Sequence, residues 1–255
     1  MPTQTPPLAD DESNLISHKK NSIQRKNHQP QVACERCGLS CFLELFNGLP
    51  EELTHIFLSR QQPVPKGKSL FCEGQPFHGV YAVKKGGIKT YAMDSKGEER
   101  ILGFYIPGEL LGLEAITANY YLSTAVVLEA SHVCWLPFNQ LDLLGDYFNV
   151  FQEHLVQILT MQLTQQQHQF VLSARQSAEE RLAAFLINLS ERYAKHGLPD
   201  QLFWLPMLRS DIANFLGISM ETVSRTFNRF QEKKLLNITG KQVQILDRPG
   251  LIAFA

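Results

Sequence analysis

Residues Arg209–Phe230, with the sequence RSDIANFLGISMETVSRTFNRF, decide the fold of the C-terminal part of this chain. Ile212 and Phe215 are spaced so that a short first helix has one apolar face. Gly217 can end that helix, because glycine readily adopts the positive φ of a tight turn. Ser219 follows where its hydroxyl can cap the N-terminus of a second helix. The segment therefore predicts two short helices joined by a tight turn.

The second predicted helix has one apolar and one polar face. Val223, Phe227 and Phe230 recur at helical spacing and should face the core. A helix in the DNA major groove needs short polar and bidentate side chains near its N-terminal end. Arginine can bond guanine O6 and N7 together, and a carboxylate can accept from cytosine N4. The opposite face offers Glu221, Ser224, Arg225 and Asn228, of which we expect Glu221, Ser224 and Arg225 to contact bases.

The flanking sequence adds a wing and candidate phosphate contacts. Apolar stretches at 235–238 and 243–246 surround the turn Thr239-Gly240-Lys241, which is typical of a β-hairpin. A winged helix-turn-helix that binds double-stranded DNA is thus predicted. A plain helical hairpin with a solvated charged face is the alternative. Arg209, Ser219 and Lys241 are placed to meet phosphates rather than bases.

Upstream, the pattern changes from helical to strand-like. Between about Leu53 and Leu136, short apolar stretches alternate with turns such as Gly86-Gly87 and Pro107-Gly108. Closely spaced short strands of this kind predict an antiparallel β-roll or barrel. From 139 to 173 the spacing becomes helical, which predicts one long helix. Its apolar stripe suits either a dimer seam or packing on the helix's own roll: Phe148, Phe151, Leu155, Ile158, Leu159 and Leu163.

These patterns predict an α+β chain with four parts. They are a flexible N-terminal arm (1–33), a cysteine loop with a β-roll (34–138), a long helix (139–173) and a winged helix-turn-helix (174–255). The net charge of -1 shows no bulk basicity, although residues from Ser177 onward carry ten Lys/Arg against eight Asp/Glu. No apolar run approaches the roughly 20 residues of a membrane span, and the N-terminus does not resemble a signal peptide. We therefore expect a cytoplasmic protein without a membrane partner.

The cysteines are unevenly distributed. Three of the five, Cys34, Cys37 and Cys41, lie within eight residues, and Cys134 could supply a fourth thiolate. An odd count in a cytosolic chain argues against a disulfide framework. Four thiolates are what a [4Fe–4S] cluster requires. The same atoms would also suit zinc or a thiol redox switch, and the absence of any ligand is a further alternative.

Several motifs together resemble the family of the cyclic-AMP receptor protein and the fumarate–nitrate reduction regulator, the CRP/FNR family. Pro107–Leu110 (PGEL) matches the roll motif of that family. The second branch is indicated by Val133–Phe138 (VCWLPF), Ala178–Phe185 (AEERLAAF) and Glu221–Arg225 (ETVSR). The resemblance covers about Cys34 to Asp247. It implies that the β-roll (34–138) is a sensor domain similar to cyclic-nucleotide-binding domains and that the long helix (139–173) is a dimerisation helix through which a homodimer forms. Activating or repressing contact with RNA polymerase is implied as well. It also implies a palindromic site with TTGAT-like half-sites, read by Glu221, Ser224 and Arg225.

The resemblance further implies an oxygen-sensing [4Fe–4S] cluster on Cys34, Cys37, Cys41 and Cys134. Only three residues separate Cys37 from Cys41, fewer than is usual in that branch. In the cyclic-AMP branch an Arg-Ser pair holds the cyclic phosphate, and Leu122-Ser123 occupies the matching positions here. Without a guanidinium the phosphate loses its bidentate partner, so no cyclic nucleotide is expected.

A cupin-type metalloenzyme is the alternative from a different functional class. Such an enzyme needs clustered His and Glu ligands inside its barrel, with open metal positions for substrate. His55, His78 and His132 are isolated in the sequence, and no nucleophile–base pair stands out. We therefore expect no enzymatic activity.

Overall fold

The structure is a computed structural model, and it describes residues 59–60, 63–173 and 177–255. The predicted arm (1–33) and the proposed ligands Cys34, Cys37 and Cys41 lie outside the described residues, so the predictions made for them are not tested by the structure.

The first part of the described chain is the antiparallel roll that the sequence predicts. In chain order its strands are β1 (Ser59–Arg60), β2 (Ser69–Phe71), β3 (Gly79–Lys85), β4 (Ile88–Met93), β5 (Glu99–Tyr105), β6 (Leu110–Leu111), β7 (Thr124–Val127) and β8 (His132–Pro137). They form two four-stranded sheets, ordered β1-β8-β3-β6 and β2-β7-β4-β5. Side chains of both sheets meet in one buried interior, which includes Phe71, Ile88, Leu111, Val127 and Val133.

Strand β3 is buried on both of its faces. Val83 packs into the roll interior with Tyr81 beside it, whereas Val80 and Ala82 belong to a second apolar cluster. Successive side chains of a strand point to opposite faces, so the two sets separate cleanly. The second cluster receives the helical segment that follows the roll.

Helical structure after β8 is divided into two parts. The first part is a 3₁₀ segment, Phe138–Tyr147, through which the chain leaves β8. A separate short helix, α1 (Ala115–Ala118), lies earlier in the chain, within the roll. Gly145 has φ 49° and interrupts the 3₁₀ segment. The α-helix α2 runs only over Phe148–Ser173, so the single helix predicted from residue 139 begins nine residues later. The glycine breaks the repeat because its conformation is not helical.

The apolar stripe of α2 is only partly covered by the roll. Phe151 and Ile158 are buried on the outer face of the β1-β8-β3-β6 sheet, with Leu155 partly buried beside them. Gln162 adds a hydrogen bond from Nε2 to the Leu110 carbonyl at 3.2 Å. In contrast, Leu163 keeps 57% of its surface exposed. Packing on the roll therefore accounts for one part of the predicted stripe and leaves another part uncovered.

The C-terminal part begins with the predicted capping box. Ser177 Oγ accepts from the Glu180 N–H at 3.1 Å, and Glu180 Oε2 accepts from the Ser177 N–H at 3.4 Å. The elements that follow are α3 (Ala178–Lys195), β9 (Leu202–Trp204), α4 (Arg209–Leu216), α5 (Met220–Glu232), β10 (Leu236–Thr239), β11 (Gln242–Ile245) and α6 (Arg248–Ile252). The predicted wing is strands β10 and β11, and β9 adds a third strand to it in the order β10-β11-β9. Among the described helices, none is long and apolar enough to cross a membrane.

Candidate nucleic-acid interface

Helices α4 and α5 form a helix-turn-helix whose turn is set by local sequence. Gly217 ends α4 with φ 65°, in the left-handed region that glycine tolerates. Ser219 caps α5, because its Oγ accepts from the Thr222 N–H at 3.1 Å. Val223 and Phe227 are 0% and 1% exposed, so they fix the inner face of α5 in the core. These features confirm the helix-turn-helix predicted from residues 209–230.

The outer face of α5, which we call the reading face, presents the polar row to solvent. Glu221, Arg225 and Asn228 are exposed, and Ser224 is partly buried between them. They are spaced i, i+3, i+4 and i+7, so they lie on one side of the helix. None of the three predicted base contacts is turned into the interior, and the face can enter a major groove.

Glu221 is held in its charged form. A hydrogen bond from its own backbone N–H, and another from the Ser219 hydroxyl, lower the pKa of the Glu221 carboxyl below its ordinary value. The side chain is therefore a carboxylate at neutral pH. It can accept a hydrogen bond from cytosine N4, which is the contact the sequence predicts.

The three predicted phosphate contacts lie in different surroundings. Ser219 is exposed at the N-terminus of α5. Arg209 stacks its guanidinium over the Phe227 ring at 4.7 Å. Lys241 instead donates to the Pro206 carbonyl at 2.9 Å and lies 3.6 Å from Glu129 of the roll. In this arrangement the ammonium group of Lys241 is directed at the roll, so a phosphate would have to replace Glu129 as its partner.

A groove lies beside the reading face, between α5 and the start of α3. Arg229 of α5 forms an ion pair with Glu179 in the first turn of α3. The groove between them is lined by Ser177, Ala178, Glu179, Thr222, Arg225, Thr226 and Arg229. Arginines beside a helix N-terminus attract phosphate groups, but here Arg229 would first have to release Glu179. The sequence analysis did not identify Arg229, because its partner Glu179 is 50 residues away.

Cys134 is the one predicted cluster ligand that the described residues include. It lies on β8, is 6% exposed and belongs to the apolar layer between the sheet and α2, together with Phe151 and Ile158. The paired strand β1 places Arg60 directly opposite Cys134. Cys72 lies elsewhere, in the turn after β2, and is partly exposed.

The region that would face a cyclic phosphate carries no guanidinium at the predicted pair. Leu122 is 44% exposed, and buried Ser123 donates its hydroxyl to Glu114 Oε1 at 3.2 Å. Nearby, the Tyr121 ring stacks on Phe71 with centroids 3.9 Å apart and fills the roll interior. Within the described ranges no group of three or more His, Cys, Asp or Glu residues could hold a metal ion.

The sequence analysis also missed the contacts that join the helix-turn-helix to the roll. Asp211 and Asn214, both on α4, bond to Lys89 and to the backbone at Ile101. These pairs are separated by more than 100 residues, so no local signal in the sequence could have identified them.

Comparisons with known proteins agree with this architecture. Residues 180–254 match the Crp-like helix-turn-helix domain, and residues 61–145 match the cyclic nucleotide-binding domain. The chain is 39% identical over 229 residues to the transcriptional activator protein FnrA of Stutzerimonas stutzeri, covering 89% of this chain and 94% of that protein. It is 34% identical over 243 residues to the fumarate and nitrate reduction regulatory protein of Vibrio cholerae, covering 94% and 97%.

Solved structures show the same fold. FixK2 from Bradyrhizobium japonicum superposes with a TM-score of 0.67 at 26% identity, covering 77% of this chain and 98% of that one. A CooA mutant from Carboxydothermus hydrogenoformans gives a TM-score of 0.62 at 19% identity, covering 83% and 94%.

Proposed function

Because this chain belongs to the CRP/FNR family of DNA-binding transcription regulators, in the branch of the fumarate and nitrate reduction regulators, we propose that it is an oxygen- or redox-controlled regulator that binds palindromic DNA as a homodimer. Like these relatives, it is a transcription regulator and not an enzyme. The observation that carries the proposal is the exposed reading face of α5, which is held from behind by Val223 and Phe227.

The reading face supports a TTGAT-like half-site. Arg225 can bond guanine O6 and N7 together, and the ionised Glu221 can accept from cytosine N4 of a neighbouring pair. Ser224 lies between them and can bond either kind of base. Binding of the full-length protein to a duplex with two such half-sites, compared with one half-site and with a scrambled duplex, tests this assignment. Equal affinity for all three duplexes would contradict it.

The uncovered side of α2 supports dimer formation. Val156, Leu159 and Leu163 lie at i, i+3 and i+7, and they are 60%, 37% and 57% exposed. An exposed apolar row of this kind is typical of a helix that packs against a second copy. A two-fold dimer would place two reading helices on successive turns of DNA, as a palindrome requires.

Cys134 fits a soft, thiolate-ligated metal centre. The residue supplies a sulfur ligand, it is shielded from water, and it pairs with Arg60 of β1, the described strand that lies nearest in sequence to Cys34, Cys37 and Cys41. Those four residues would hold a [4Fe–4S] cluster, which supplies the oxygen-sensitive chemistry when bound. Cys134 shares its apolar layer with Phe151 and Ile158 of α2. A change at this thiol would therefore alter the packing of α2, the proposed dimer helix.

Substitution of Cys134 tests the cluster. We expect the parent protein, purified without oxygen, to be brown, to contain iron and sulfide, and to lose colour and DNA affinity in air. Cys134→Ser should lower its iron content several-fold, because one of four thiolates is lost. Cys72→Ser is the matched control and should retain the iron, since Cys72 lies in a different turn.

The same measurements separate the alternatives. A colourless parent with one zinc ion per chain would indicate a tetrathiolate zinc site. A metal-free parent whose DNA affinity responds to thiol oxidants would indicate a redox switch. The alternative without any ligand predicts no metal and no response to oxidants. In each of these three cases the DNA-binding assignment stands and the cluster assignment fails.

Two further parts of the proposal follow from binding DNA as a regulator. The protein would work in the cytoplasm, where its DNA target is found, and it would contact RNA polymerase from the DNA-bound state. FnrA is named a transcriptional activator, and this supports activation as one outcome for the present chain. Leu122 at the phosphate-facing position supports control without a cyclic nucleotide.

A further inference from the structure

Helix α4, the first helix of the helix-turn-helix, is bonded to an edge strand of the roll. Strand β5 is the last strand of its sheet, and an edge strand leaves backbone N–H and C=O groups unpaired. Asn214 on α4 satisfies two of them. The Ile101 N–H donates to Asn214 Oδ1 at 2.9 Å, and Asn214 Nδ2 donates to the Glu99 carbonyl at 2.8 Å. The side-chain amide thus takes the place that a neighbouring strand would occupy.

A buried charge pair lies one turn earlier on the same helix. Asp211, which is 8% exposed, accepts from Lys89 Nζ of strand β4 at 3.0 Å with one oxygen and from the Leu208 N–H at 3.0 Å with the other. Lys89 also bonds Glu99 at 3.2 Å. Burial alone would lower the pKa of Lys89, but hydrogen bonds and charge contacts with Asp211 and Glu99 outweigh it and raise this pKa. Lys89 therefore stays positively charged at neutral pH.

The position of α4 determines the position of the reading helix. Phe215 of α4 packs edge-on against Phe104 of β5, with ring centroids 5.3 Å apart. The turn from α4 to α5 is short, and Ile212, Val223 and Phe227 of the two helices are buried in one core. A shift of α4 along the edge of β5 would consequently carry the reading face with it.

We propose that Asp211 and Asn214 are positioning residues, which fix the reading helix to the β4–β5 edge of the roll and thereby set the separation of the two reading helices in the dimer. The inference rests on the proposed function, because the spacing of two half-sites matters only if the protein binds palindromic DNA as a dimer. Neither residue lies on the reading face. Their loss should leave recognition of one half-site intact and relax the spacing at which two half-sites can be bound together.

The test compares duplexes that differ only in spacing. Full-length protein purified without oxygen is titrated with a single half-site, with the palindrome, and with palindromes lengthened or shortened by one base pair. In the parent, affinity should fall when the spacing is altered. In Asn214→Ala the preference for the original spacing should drop by at least about fivefold, the factor that the loss of only one of its two hydrogen bonds, at about 1 kcal/mol, provides. Its half-site affinity should change by less than about twofold.

Two controls keep the result interpretable. Asn237→Ala makes the same substitution on the exposed wing strand β10 and should keep the spacing preference of the parent. Lys89→Glu should relax the preference as Asn214→Ala does, because it places a carboxylate beside Asp211 and Glu99. A half-site affinity equal to that of the parent shows that the altered chains fold.

Two results would overturn this inference and leave the proposed function standing. One is an Asn214→Ala protein with the spacing preference of the parent. The other is a half-site affinity that falls as far as the affinity for the palindrome, which would mean that the substitution damages the helix-turn-helix itself. A parent protein that binds the palindrome no better than a single half-site would instead contradict the proposed function.

Discussion

Arg225 is the residue on which sequence discrimination should depend most directly. It is exposed at the fifth position after the Met220 start of α5, and its guanidinium can form two bonds to one guanine. Glu221 lies one turn earlier on the same side and offers acceptors instead of donors. In the proposed complex the two residues would read different bases, so their loss should affect different positions of the half-site.

Replacing Arg225 by alanine should weaken binding to the cognate palindrome by about 1–3 kcal/mol per contact, because a bidentate base contact is lost. Preference at one base pair should disappear, while preferences at the other positions remain. Titration against a set of single-base variants of the half-site measures this. Lys195→Ala removes the same charge at the far end of α3 and should leave the preferences unchanged. An Arg225→Ala protein with the base preferences of the parent would show the assignment to be wrong.

At the scale of secondary-structure elements, α2 has two apolar sides, of which the roll covers only one. Phe151 and Ile158 are covered by the roll, whereas Val156 and Leu163 are not covered by any described part of this chain. The exposed side is the part of α2 that a second copy would cover in the proposed dimer.

A charge on the exposed side of α2 tests the dimer. Val156→Glu should raise the dimer dissociation constant by at least about tenfold, since burying an unpaired carboxylate costs more than the 1.4 kcal/mol to which that factor corresponds. Binding to the palindrome should fall with it. Gln157→Glu adds the same charge on an exposed position outside the Val156–Leu159–Leu163 row and serves as the control. Sedimentation equilibrium reports the dissociation constants, and identical values for the two variants would contradict the proposed interface.

At the scale of the whole molecule, the roll and the C-terminal helices share one core. Ile101, Phe104 and Leu128 of the roll belong to the same buried cluster as Leu186 of α3 and Phe227 of α5. Arg192 of α3 adds an ion pair with Glu109 to this contact. Its Nε donates to Glu109 Oε1 at 2.7 Å and its Nη2 to Glu109 Oε2 at 2.6 Å, and Nη2 also donates to the Phe104 carbonyl. Burial alone would lower the pKa of Arg192, but the contact with Glu109 outweighs that effect and raises it, so the guanidinium stays charged.

Removal of Arg192 should therefore destabilise the entire fold. Arg192→Leu leaves Glu109 buried without its partner and should lower the free energy of unfolding by about 3–5 kcal/mol. Arg100→Leu removes an exposed arginine paired with Asp94 and Glu98, and should cost no more than about 1 kcal/mol. Urea denaturation followed by fluorescence measures both values. Equal losses in the two variants would show that the buried pair does not join the two halves.

Features encoded within a few residues were predictable from the sequence. The turn at Gly217, the caps at Ser177 and Ser219, and the inner and outer faces of α5 all depend on neighbours within one or two helical turns. The candidate base contacts followed, because helical periodicity alone assigns Glu221, Ser224 and Arg225 to the side opposite Val223 and Phe227.

Tertiary structure alone decided which partner each surface meets. It divided the α2 stripe between the roll and solvent, added β9 to the wing, directed Lys241 toward Glu129, and seated α4 on β5 through Asn214. Each of these contacts joins segments that are distant along the chain. Periodicity shows that a face is apolar or polar, but only the packed chain determines what lies against it, because long-range pairing depends on all the competing surfaces at once.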